Sequence, residues 1–97
     1  MAANGVRGEV SVLMAGAERR LCLTLGALAE IETELGCEGV VGLAERMRAL
    51  SARDLQTVLG ALLRGGGETD LAAELSRAPI DPREAAEAVA RAFAAAT

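Results

Sequence analysis

Histidine and lysine are absent from this 97-residue chain, tryptophan and tyrosine are absent too, and Phe93 is the lone aromatic. Each absence removes a class of chemistry. Without histidine the commonest general base and metal ligand is missing, and a cysteine–histidine nucleophile cannot be built. Ser11, Ser51 and Ser76 fall in strand, cap and helix-end contexts, and none sits in a GxSxG elbow. Cys22 and Cys37 stand alone, in neither CxxC nor HExxH spacing, so no metal site is expected and burial as small apolar residues is their expected fate. The glycines of LLRGGGETD follow a helical pattern, and with no lysine they cannot form a Walker loop. Glu30, Glu32 and Glu34 do not converge as a carboxylate pair, because i and i+2 diverge on a helix; Glu30 and Glu34 share a face that reads as solvated. No catalytic, cofactor-binding or metal-binding residues are expected, and the chain is not expected to be an enzyme.

Charge and hydropathy exclude further partners. Fourteen acids against ten bases give a net charge of −4, and the arginine pairs Arg19–Arg20 and Arg46 with Arg48 are flanked by Glu18 and Glu45. A nucleic-acid binder needs a concentrated basic face and often aromatic platforms, so nucleic acid is not an expected partner. The opening MAANGVRGEV holds no apolar leader core, and no run of about 18 apolar residues could span a bilayer. A cytoplasmic location and no membrane partner follow as expectations.

What is present is aliphatic. Apolar residues make up 52% of the chain, and many are alanine, which favours closely packed helices. Such a core buries little area per residue, so a partner or self-association surface is expected to add stability. Residues 1–7 read as a flexible N-terminus, and residues 8–97 as a single domain. Val10, Val12 and Met14 alternate with Ser11 and Leu13, AGAE turns at Gly16, and Leu21, Leu23 and Leu25 alternate with Arg20, Cys22 and Thr24. This is a β-hairpin pattern, with strands expected near 8–14 and 19–25.

The period then changes to 3.6. Leu28, Ile31 and Leu35 mark a helix opened at or just after Thr24 and stopped by Gly36. Val40, Leu43, Met47 and Leu50 mark a shorter one. Ser51 caps a third, with Asp54 as a short relative of the capping-box acid and Leu55, Val58, Leu59 and Leu62 on one stripe. Gly65–Gly67 reads as a hinge that no helix crosses. DLAAELSR turns Leu71 and Leu75 inward. In APIDPRE, Asp81 is the expected cap, Pro82 the first helical residue and Glu84 the reciprocal acid of a capping box. The last helix gathers Val89 and Phe93 with Ala85, Ala86 and Ala92. The expected fold class is α+β, mostly α: an N-terminal β-hairpin packed against four or five short helices. The expected partner-binding positions are the Leu63 side of the third helix and the alanine-rich last helix.

The segment RGEVSVLMAGAERRLCLTLGALAEIETELG, then VGLAERM and LSARDLQTVLGALLRGGG, resembles the gene transfer agent family of small phage-tail proteins. The resemblance runs from about Arg7 to Gly67, with a looser helical tail. It implies a tailed-phage-like gene cluster of an alphaproteobacterial type, close to the genes for tail tube and tape measure. Members are described as tail-assembly chaperones or as tail tube proteins. The expected function is therefore a chaperone that coats the tape-measure protein during tail assembly; the alternative is a structural tube component retained in the particle. The expected partners are the tape-measure protein or other tail proteins, with a homo-oligomer as a further option.

Overall fold

The computed structural model describes residues 8–96, the Val40 side chain excepted. The N-terminal segment 1–7, expected to be flexible, lies outside the described residues. Two strands, β1 (Glu9–Met14) and β2 (Ala17–Cys22), are followed by five helices: α1 (Leu25–Leu35), α2 (Gly39–Met47), α3 (Ala52–Gly65), α4 (Thr69–Ala73) and α5 (Pro82–Ala95). The fold is α+β and mostly α, as the change of period indicates.

The hairpin closes through a two-residue turn with Met14 opposite Ala17. Both turn residues take positive φ, Ala15 at 53° and Gly16 at 83°. That geometry matches the right-handed twist of the flanking strands. Val10, Val12 and Met14 share one face with Leu21, and this face lies on the helices. Leu13 points the other way and is 80% exposed.

The second strand ends sooner than the leucine alternation suggests. The Thr24 hydroxyl accepts from the Ala27 N–H at 3.0 Å, which starts α1 at Leu25. Leu25 therefore leaves the sheet face expected for it and stands 83% exposed on the first turn of a helix. A side chain able to cap a helix has overridden a period-2 pattern. Helix α1 stops at Gly36, in the left-handed conformation that satisfies the last carbonyls. Ser51 caps α3, accepting from the Asp54 N–H at 3.0 Å. Asp81 caps α5 through the Arg83 N–H at 2.8 Å. Glu84 does not complete the expected capping box; its side chain is exposed, and among the described residues it returns no bond to Asp81.

Helix α3 is the axis of the domain, touching α1, α4, α5 and β2. Every residue from Val58 to Leu63 is buried. The expected stripe of Leu55, Val58, Leu59 and Leu62 lies in or against the core, while Arg53, Gln56 and Arg64 keep one side of the helix exposed. Around α3 lie Leu21, Ile31, Leu35, Leu43, Leu71 and Val89. Ala85, Ala88 and Ala92 of α5 join this core, whereas Ala86 is exposed and not part of it.

Helix α3 ends in the glycine triplet, as expected, but Gly65 and Gly66 are packed against β2 rather than loose. Helix α3 includes Gly65 and is capped by Gly66, which is buried. A Cβ on Gly65 would run into the Cys22 carbonyl, and one on Gly66 into the Arg20 carbonyl. These two residues let the end of α3 lie directly on the backbone of β2. Glu68 then secures the corner. Its carboxylate accepts from the Arg20 backbone N–H at 3.0 Å and forms ion pairs with the Arg19 and Arg20 side chains.

Candidate interaction surfaces

Several polar side chains tie the helices to one another. Arg46 donates to the Leu35 carbonyl and to the Asp54 carboxylate, both at 2.9 Å, and so ties α2 to the end of α1 and the start of α3. The Arg46 hydrogen bond holds the Asp54 carboxyl below the usual carboxylate range; partial burial opposes this, while the Arg46 charge and the Ser51 backbone and hydroxyl reinforce it. Arg64 grips Glu30 and thereby links α3 to α1. Glu32 accepts from the Gly39 N–H at 2.8 Å, satisfying a donor at the start of α2. The glutamates of α1, expected to be a solvated face, thus include two structural ties. Arg19 is a further tie, donating to the Met14 and Ala15 carbonyls behind the hairpin turn at 3.0 and 3.2 Å.

No reactive centre is gathered by these contacts. Cys22 and Cys37 are free thiols, the first buried and the second half-buried. Burial, aided by the charge of Glu9, pushes the Cys22 thiol up, away from the reactive thiolate. Among the described residues, no group of three His, Cys, Asp or Glu side chains is placed to hold a metal, and no helix is long and apolar enough to cross a membrane.

The two expected partner-binding positions fare differently. Leu63 is 0% exposed and belongs to the core, so the Leu63 side of α3 offers no contact to a partner. The sequence treats α3 as a surface helix, and its central position overturns that reading. Helix α5 is divided. Ala85, Ala88, Val89 and Ala92 face inward, while Ala86 and Ala90 are exposed. These two alanines, with Val89, line a shallow apolar groove completed by Met47, Leu50 and Leu55. A second groove, lined by Leu55, Leu59, Leu75, Ile80 and Pro82, shares Leu55 with the first. Leu13, Leu25 and Val41 add isolated exposed apolar side chains on the hairpin, α1 and α2. Of these, Leu13 is visible in the sequence as the apolar residue on the outward parity of β1. The grooves are not visible there, because residues far apart in sequence meet to form them.

A family model described as phage tail tube protein, GTA-gp10, matches residues 7–97. Neither the curated proteins nor the solved structures gave a match. The match covers the hairpin and all five helices, including the C-terminal part where the sequence resemblance is looser. On that coverage, the chain belongs to the GTA-gp10 phage tail tube family.

Proposed function

We propose that this protein acts by binding other proteins rather than by catalysis, and that it is a structural component of a phage-like tail, retained in the particle. The family description carries this reading. Its surfaces suit the role: charged ties fix the helices to one another, and the apolar grooves beside α5 remain open to a neighbour. Among the described residues the sheet has two strands, too few to close a ring, so the contacts to neighbouring tail proteins would run through the helices or the hairpin edge. Cross-linking of purified particles, followed by peptide identification, tests this. The expected products join this chain to other tail proteins; particles without this chain would refute it.

A second reading is favoured by that same small sheet. A mostly helical domain of this size suits an assembly chaperone that shields the apolar stripes of a tape-measure helix and then departs. Co-expression that keeps the tape-measure protein soluble, together with particles free of this chain, is the outcome that would select it.

A further inference from the structure

The two edges of the hairpin are treated differently. On β2 the Arg20 N–H points outward to Glu68, and Gly65 and Gly66 press on the carbonyls of Cys22 and Arg20. That edge is closed. Ser11 lies directly opposite Arg20. Since the Arg20 N–H points away from β1, this is a non-hydrogen-bonded pair, and the Ser11 N–H points away from β2 in turn. By alternation the backbone groups of Glu9 and Leu13 also face outward. Among the described residues, no hydrogen bond occupies these outward groups. Strand β1 has no proline or lysine, the residues that commonly guard an edge, and its Leu13 side chain is 80% exposed.

A row of charges runs beside this open edge. Val12, Leu13 and Met14 line a groove whose other wall is Glu84, Glu87, Ala88 and Arg91 of α5. Glu84, Glu87 and Arg91 have no ion-pair partner within the described chain. The row is acidic at the start of the helix and basic one to two turns later. Two copies of it running antiparallel bring Glu84 of each against Arg91 of the other.

We propose that the β1 edge is a self-association surface. A second copy of this chain adds its own β1 antiparallel, about a two-fold axis near Val12, making a continuous four-stranded sheet. The two α5 helices then lie side by side beneath it, with Glu84 of each facing Arg91 of the other. A two-fold axis makes such a contact self-complementary and closed at two copies. The backbone pairing supplies affinity, and the charge row fixes direction. This assembly is independent of whether the protein stays in the particle.

Sedimentation over a concentration series, run on the full chain, tests the proposal. The wild type is expected to form a dimer. Ser11→Pro removes an outward N–H and leaves the β1–β2 ladder intact, and it should weaken the dimer by at least about tenfold with an unchanged circular dichroism spectrum. Arg91→Glu should weaken it as well, and Glu84→Arg with Arg91→Glu should restore it; these exposed positions keep the test valid if the proline variant misfolds. A wild type that stays monomeric throughout overturns the proposal. So does a dimer, or a larger assembly, that is indifferent to both Ser11→Pro and the charge reversal.

Discussion

Replacing Gly66 with alanine should destabilise the domain, although the backbone at Gly66 (φ −90°, ψ 0°) is open to any residue. The new methyl meets the Arg20 carbonyl, a main-chain atom of β2 that cannot swing aside as a side-chain tip would. Overpacking of this kind costs about 1–3 kcal/mol, and the upper half of that range is expected because the sheet itself must move. At Gly65 the collision is with the Cys22 carbonyl, but alanine also regains about 0.8–1 kcal/mol of helix propensity, leaving a net loss of about 1–2 kcal/mol. Domains of this size have roughly 5–15 kcal/mol in total, so both losses are readable in urea melts. A hinge predicts the opposite sign. Alanine in an unstrained flexible glycine position stabilises by about 0.4–1 kcal/mol through the unfolded chain. An unchanged or raised midpoint for both variants would refute the close approach of α3 to β2.

Loss of the Asp81 cap through Asp81→Ala should cost about 0.5–2 kcal/mol, whereas Glu84→Ala should leave the denaturation midpoint almost unmoved; equal losses would restore the capping box. Leu63→Ala should cost about 2–5 kcal/mol, while exposed Leu25→Ala should stay within about 0.5 kcal/mol, again by urea melts. The Asp54 carboxyl titrates below its unfolded value, so its contribution is present above pH about 4 and is lost as pH falls through the depressed folded value. Asp54→Asn should therefore lower the thermal midpoint at neutral pH, with the gap to wild type closing in acid. A gap that is constant with pH would mean that Arg46 does not engage the charge.

Local chemistry was legible where a residue acts within its own turn. Thr24, Ser51 and Asp81 are caps because a short oxygen side chain reaches an N–H two or three residues on, and no tertiary information is needed to see it. Gly16 marks the hairpin for the same local reason. Reading failed where the deciding contact is distant. The glycine triplet reads as a hinge until β2 is placed on it, and Leu63 reads as surface until α3 is seen surrounded by α1, α4, α5 and β2. Leu25 shows two local rules in conflict, with the Thr24 cap overriding the strand alternation. The open β1 edge was equally hidden, because the two edges of a hairpin differ only in what the rest of the chain lays against them.

Quantitative mass spectrometry of purified particles tests the functional account most directly. The protein is expected in the particles in fixed ratio to the other tail proteins, and the ratio should persist through stringent purification. Its absence from particles, with recovery from the same cells in a soluble complex with the tape-measure protein, would contradict the structural role and assign the chain to assembly.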